Sequence, residues 1–118
     1  MVATALTALY QDPAHAWTVA ALARTCAVSR STLAARFKSA VGQGPLEYLT
    51  RRRIELAAQR LRKDDATLAA IAHSVGYGSE SALSVAFERV LGVPPGDYRR
   101  RPAAGTGRDR AARTARSG

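Results

Sequence analysis

Four hydroxyl side chains in this sequence stand where each could begin a helix: Thr18, Ser29, Thr67 and Ser79. Each precedes a segment with apolar residues at helical spacing, and a hydroxyl in that position can accept a hydrogen bond from a free amide of the first turn. Amides that stay free at a helix N-terminus can donate to anions, including phosphate. The pattern therefore predicts four helix starts and phosphate contacts at their first turns.

Basic and small side chains follow two of these hydroxyls. After Ser29, with Leu33 and Phe37 turned inward, the outward arc holds small residues and a lysine, and the cations Arg30 and Arg36 lie beside it. After Ser79 the matching segment has a similar arc. The plain alternative for every one of these residues is a solvated helix face. The residues predicted to form exposed contact surfaces are Arg30, Ser31, Ala34, Ala35, Lys38, Ser81, Ala82, Val85 and Arg89, and the predicted phosphate contacts are Thr18, Ser29, Arg36, Arg53, Thr67 and Ser79.

The sequence lacks the residue patterns of catalytic, metal-binding and disulfide-bonded sites. We find no Ser/His/Asp arrangement, no paired carboxylates suited to a pocket and no glycine-rich phosphate loop. His15 and His73 have no partner at metal-ligand spacing, and the single cysteine, Cys26, excludes an internal disulfide. The sequence therefore predicts a protein that is not an enzyme and that needs no metal or cofactor.

The elements that position these residues come as an internal repeat. Thr18 and Leu22 match Thr67 and Ile71 at an offset of 49 residues, and Phe37 matches Phe87 at an offset of 50 after one extra residue near Gly78. In each copy a short helix, a turn of about three residues and a second helix that opens with serine form the layout of a helix-turn-helix. We predict an all-α fold of about seven helices, with two such subdomains of homeodomain-like type.

A long helix separates the two copies. Pro45–Lys63 begins with a proline that suits the first helical position. Leu46, Leu49, Ile54, Ala57 and Leu61 share one broad face, while Arg51 and Arg52 are placed opposite. Arg53 falls within the apolar arc, where its guanidinium must reach a carboxylate, a carbonyl or solvent. The predicted divisions are residues 1–44, the connecting helix 45–63, residues 64–100 and a disordered basic tail at 101–118.

The charge is concentrated at the C-terminal end. The formal net charge is +9 over 118 residues, and the segment from Arg99 onward holds seven arginines and one acid, hence +6. The remaining 98 residues are only mildly basic. A basic chain can bind polyanions, although an arginine-rich end also binds nucleic acid without sequence preference. No apolar run is long enough for a membrane span, and a cytoplasmic, nucleoid-associated protein is expected.

Read in order, these residues resemble the DNA-binding domain of the AraC/XylS family of bacterial transcription regulators. The carrying residues are Leu22-Ala23, Ser29, Leu33, Phe37 and Gly42 in the first copy, Arg53-Ile54, Ala57 and Leu61 in the connecting helix, and Ile71-Ala72, Val75-Gly76-Tyr77, Ser79, Phe87, Gly92, Pro95 and Tyr98-Arg99 in the second. The resemblance covers about residues 3–100. The segments Ser29–Ser31 and Gly76–Ala82 are most similar to members with a cupin-type sensor.

The resemblance implies two helix-turn-helix units that enter successive major grooves and regulate transcription. It places base reading at Ser31, Ala34 and Ala35 and at Ser81, Ala82 and Val85. The implied partners are double-stranded DNA and RNA polymerase. The chain alone is expected to be a monomer, and a dimer through an N-terminal domain of a longer protein stays open. The alternative function is nonspecific nucleic-acid binding by the arginine-rich tail.

Overall fold

The computed structural model describes residues 1–101, and these form seven α-helices without a strand among them. The all-α fold with two helix-turn-helix units is confirmed, while the tail predicted to be disordered lies, except for Arg101, outside the described residues. The helices are α1 (Val2–Gln11), α2 (Val19–Cys26), α3 (Arg30–Val41), α4 (Pro45–Lys63), α5 (Leu68–Ser74), α6 (Glu80–Leu91) and α7 (Pro95–Arg100).

All four predicted hydroxyl caps are present. The side chains of Thr18, Ser29, Thr67 and Ser79 each accept a hydrogen bond from the amide three residues later, at 3.0 to 3.1 Å. These bonds satisfy amides that have no partner within the helix. The caps therefore set where α2, α3, α5 and α6 begin.

The buried apolar side chains form two separate clusters within residues 1–101. The first joins α1, α2 and α3 and takes Leu49 from α4. The second joins α5 and α6 to Ile54, Ala57 and Leu61 of α4. Helix α4 thus serves both clusters, its first half facing one and its second half the other.

The repeat extends to the aromatic residues that close each cluster. The ring of Phe37 meets Tyr48 edge to face with centroids 5.9 Å apart, and Phe87 meets Tyr98 in the same way at 5.4 Å. Each tyrosine is the fourth residue of the helix that follows its own copy of the repeat, Tyr48 in α4 and Tyr98 in α7. Such pairs add to the free energy of burial, so the two units are stabilised by the same device.

Three placements differ from the sequence prediction. Leu46 and Leu91, expected to face inward, are 41% and 43% exposed. Both lie within one residue of a helix end, where the side chain is only partly covered. Arg52, expected on the solvent side, stacks its guanidinium on the ring of Tyr10, with Cζ 3.7 Å from the ring centroid. The turn of α4 points this residue at the neighbouring α1 instead of at water.

Candidate nucleic-acid interface

Helix α3 buries one face and exposes the other. Leu33 and Phe37 are fully buried and anchor the helix on the first cluster. The five predicted contact residues of α3 are all exposed and share the outer side: Arg30, Ser31, Ala34, Ala35 and Lys38. The packing of the inner face therefore orients the predicted contact surface towards solvent.

Helix α6 repeats this arrangement with a different outer surface. Leu83 and Phe87 are fully buried, as their counterparts are in α3. The side chain of Val85 is 71% exposed, which makes it an unusual position for an isopropyl group. The predicted contact residues of α6 are again all exposed: Ser81, Ala82, Val85 and Arg89.

The two outer surfaces differ in charge. Helix α3 carries exposed Arg30, Arg36 and Lys38. Helix α6 has acidic residues where two of those cations stand, since Glu80 and Glu88 occupy the equivalent positions. The surface of α3 is therefore suited to a polyanion, whereas that of α6 is close to neutral.

The four caps leave only part of each helix N-terminus available to an anion. The third amide of each helix is bonded to its own cap, as in Thr32 N–H to Ser29 Oγ at 3.1 Å. Ser29 Oγ also donates to Thr32 Oγ1 at 2.9 Å. The free donors are thus the first two amides of each helix, and their phosphate contacts stay a prediction, as does the contact predicted for exposed Arg36.

Arg53 is the one predicted phosphate residue that faces the interior of the protein. Its Nε donates to the Pro13 carbonyl at 2.7 Å and its Nη2 donates to the His15 carbonyl at 3.0 Å. Of the roles considered for this residue, the structure shows the internal one, with carbonyls as acceptors. Two of its three nitrogens are engaged in this way, so a phosphate contact would fall to Nη1.

The turn between α5 and α6 lies against the same guanidinium. Cζ of Arg53 is 5.4 Å from the ring centroid of Tyr77. A β-carbon built on Gly76, whose φ is +102°, would lie 2.9 Å from Nη2 of Arg53 and 3.0 Å from Cα of Ala14. Burial raises the pKa of the Tyr77 phenol, against the opposing charge of Arg53.

Sequence reasoning missed this junction of Arg53 with Pro13–His15 and with Gly76-Tyr77. The sequence signal was the glycine itself, because Gly76 stands 49 residues after Ala27, at the equivalent position of the repeat. In the structure both residues have a positive φ. Ala27 is exposed and accommodates its methyl group, whereas Gly76 has no room for one. The glycine in the second copy marks the closer contact.

Other kinds of site have little support in residues 1–101. No group of three or more His, Cys, Asp or Glu side chains comes together there to hold a metal ion. No helix in that range combines the length and the apolar character that crossing a membrane requires. The thiol of Cys26 is half-buried and points to the Met1 carbonyl at 3.9 Å.

The chain matches a family model described as a helix-turn-helix domain over residues 22–101. A putative AraC-like transcription regulator from Streptomyces lividans is 78% identical over 102 residues, which are 86% of this chain and 34% of that protein. The transcriptional activator RclR of Escherichia coli K12, described as specific for RCS, is 42% identical over 93 residues, 79% of this chain and 33% of that protein. The chain spans about a third of the length of these relatives.

Solved structures agree with these relatives. The DNA-binding domain of the global transcriptional factor AdpA, solved with a target DNA, has a TM-score of 0.79 and 31% identity, over 83% of this chain and 88% of that one. The C-terminal domain of AraT, a response regulator from Geobacillus stearothermophilus, has a TM-score of 0.82 and 30% identity, over 84% and 83%. These relatives are regulators and not enzymes. The chain belongs to the family of AraC-type helix-turn-helix transcription regulators.

Proposed function

We propose that the chain binds double-stranded DNA sequence-specifically through two helix-turn-helix units in successive major grooves, and so regulates transcription. The observation that carries the proposal is the pair α3 and α6. Both helices are 12 residues long, both begin after a serine cap, and both bury a leucine and a phenylalanine beneath an exposed outer face. A helix presented in this manner fits the major groove.

The dimensions of the molecule support two grooves on one face of the duplex. Successive major grooves lie about 34 Å apart. Helix α4 has 19 residues and so spans about 28 Å, and the longest extent of the described residues is 46 Å. The proposed functional units are residues 1–44 and 64–100, with residues 45–63 holding them apart. The AdpA domain bound to its target DNA supports the same partner.

Each exposed residue then has a defined role. The bases are read by the small side chains of both outer faces, and the phosphates by the cations Arg30, Arg36, Lys38 and Arg89 together with the amides at the four caps. The outer faces offer no Arg, Asn or Gln at the base-reading positions, so the direct contacts are hydroxyl bonds and apolar contacts with thymine methyl groups.

Selection of bound sites from random double-stranded DNA tests this function. We expect enrichment of one site that contains two different motifs about one helical turn apart. Protein with Ala34→Asp and Val85→Asp is the matched control, because both side chains are exposed and neither supports a buried cluster. Enrichment of no sequence at all, or of a single short motif, contradicts the proposal.

The alternative function is nonspecific binding by the basic tail, favoured by the seven arginines from Arg99 onward. A chain that ends at Arg101 keeps all seven helices and three of these arginines. We expect it to bind the selected site with lower overall affinity and unchanged sequence preference. Loss of all binding on truncation, with no preferred site for the full chain, supports the alternative.

The activity of a longer protein that contains this chain is a further part of the proposal. Because the relatives are about three times as long, we expect such a protein to add contacts to RNA polymerase and, through an N-terminal domain, a dimer. It would act in the cytoplasm at the nucleoid. The 118-residue chain itself is expected to sediment as a monomer, and a concentration-dependent dimer contradicts that expectation.

A further inference from the structure

The two helix-turn-helix units share no apolar core within residues 1–101. The first cluster ends at Leu49 and the second begins at Ile54 of the same helix. A helix sets the distance between two bodies, but long helices also bend. The relative orientation of the units therefore depends on contacts other than the two apolar clusters.

The polar junction at Arg53 lies between those clusters. Arg53 belongs to α4 at the point where its buried face passes from the first cluster to the second. Its guanidinium donates to two carbonyls of the α1–α2 linker, at Pro13 and His15. Hydrogen bonds from a charged donor are about twice as strong as neutral ones, so the linker of the first unit is held firmly to this helix.

The second unit reaches the junction through its own turn. The backbone of Gly76 approaches Arg53 and the Ala14 backbone so closely that a β-carbon would meet both at about 3 Å. The ring of Tyr77, the next residue, also lies near the guanidinium, with its centroid 5.4 Å from Cζ of Arg53. The linker of one unit and the turn of the other thus contact the same arginine. Arg53 follows the linker carbonyls by 38 to 40 residues and precedes Gly76 by 23.

We infer that Arg53 is a positioning residue that locks the two helix-turn-helix units in the orientation needed to read both half-sites of one DNA face. The inference rests on the proposed two-groove function. A locked pair binds its second half-site at high effective concentration and only at the matching spacing. Arg53 thereby determines how strictly the protein discriminates half-site spacing, without itself reading a base.

The test compares Arg53→Met with Arg60→Met. Arg60 lies two turns further along α4 and pairs with Asp64 of the same unit, at 3.4 Å, so its loss spares the junction. Three DNAs are used: the selected site, the same site with one half scrambled, and the site with two base pairs inserted between the halves. Affinities are measured at one salt concentration, because phosphate contacts make all of them salt-dependent.

We expect wild type and Arg60→Met to prefer the intact site over both altered sites. In Arg53→Met the preference for the intact over the half-scrambled site should fall by about tenfold, and the inserted base pairs should be tolerated better. A merely destabilised protein would lose affinity for all three DNAs in proportion and keep its spacing preference. Equal spacing preference in Arg53→Met and wild type overturns the inference.

Failure of the proposed function gives a different result. In that case wild type itself shows no preference for two half-sites over one. If Arg53→Met does not fold, Tyr77→Leu is measured with the same three DNAs. This change removes the ring beside Arg53 and keeps the guanidinium. A weaker spacing preference in Tyr77→Leu than in wild type supports the lock. An equal preference in the two proteins overturns it.

A measurement without DNA completes the test. Spin labels at Ser39→Cys in α3 and Glu88→Cys in α6, in a Cys26→Ser background, report the distance between two exposed positions, one on each helix. We expect one narrow distance distribution for wild type and Arg60→Met, and a broad one for Arg53→Met. A distribution that is narrow in all three proteins overturns the inference.

Discussion

At the residue scale, the proposed base-reading surface consists of small and apolar side chains. Val85 is the largest of them and one of the most exposed apolar groups of the structure, at 71%. An apolar group so exposed gains free energy only when a partner covers it. The C5-methyl group of thymine is the apolar feature of the major groove, and it is the partner we assign to Val85.

Shortening Val85 tests this contact. Val85→Ala should weaken binding to the selected site by about 1 kcal/mol, since roughly one or two methyl groups lose their cover. Replacing the facing thymine by uracil removes only the methyl group and should weaken wild type by a similar amount, with little further effect on Val85→Ala. Uracil in the half-site of α3 serves as the control. Equal losses from uracil in both proteins contradict the contact.

The phenol of Tyr77 makes a second prediction at this scale. Burial raises its pKa above the ordinary value of 10.0, so the folded state holds the proton more tightly than the unfolded chain. The corresponding stability is complete below about pH 10 and is lost as the pH rises through the raised pKa.

Denaturant unfolding of wild type and Tyr77→Phe at pH 8 to 11 measures this effect. We expect the free energy of unfolding of wild type to fall more steeply above about pH 10 than that of Tyr77→Phe. Parallel curves for wild type and Tyr77→Phe contradict the prediction.

At the scale of the element, helices α3 and α6 show what local sequence determines. The serine caps, the leucine and phenylalanine anchors and the terminal glycines of α3 and α6 all follow from residues within one or two turns. For that reason their bounds were predictable to within about two residues. The outer faces of α3 and α6 follow as well, because the residues opposite the buried leucine and phenylalanine stay exposed.

Removing a cap tests how much each serine contributes. Ser29→Ala and Ser79→Ala should each lower the free energy of unfolding by about 1 kcal/mol, while glycine at the same positions should cost only a few tenths. Ser39→Ala, at an exposed position inside α3, should be neutral or slightly stabilising. Urea denaturation gives the values. A Ser29→Ala protein as stable as wild type would show that the cap contributes nothing to the free energy of unfolding.

The charge difference between the helices predicts unequal contributions to affinity. Lys38→Glu should weaken binding and lower the slope of log affinity against log salt by about one or more, whereas Glu88→Lys should strengthen binding. The two changes exchange equivalent positions of the repeat, so each is the control for the other. A harmless Lys38→Glu, or a Glu88→Lys that weakens binding, refutes the idea that the first unit supplies most of the affinity.

At the scale of the whole molecule, the arrangement depends on contacts between distant segments. The stacking of Arg52 on Tyr10 and the engagement of Arg53 by Pro13 and His15 join residues about 40 positions apart. Helical periodicity gives the face of a residue but not the neighbour that the face meets. The sequence therefore predicted the two units and the helix between them, but not which carbonyls and which turn Arg53 contacts.

The proposed fixed spacing of α3 and α6 makes a prediction about DNA geometry. Inserting five base pairs between the half-sites turns one of them to the opposite side of the duplex and should reduce affinity to that of a single half-site. Inserting ten restores the side but doubles the separation to about 68 Å, beyond the 46 Å over which residues 1–101 extend. Gel-shift titrations should therefore find no recovery at ten, and recovery would contradict a rigid spacer.

The place of helix α4 between the two clusters also sets the order in which the clusters can form during translation. The first cluster is complete in sequence once Leu49 has left the ribosome, and Arg53 can bind the linker carbonyls four residues later. The second cluster cannot be completed before Phe87 is synthesised. Gly76 then packs against Arg53, which can by that time be bonded to the linker carbonyls. The first unit is thus in a position to fold during translation and to offer the second a finished surface.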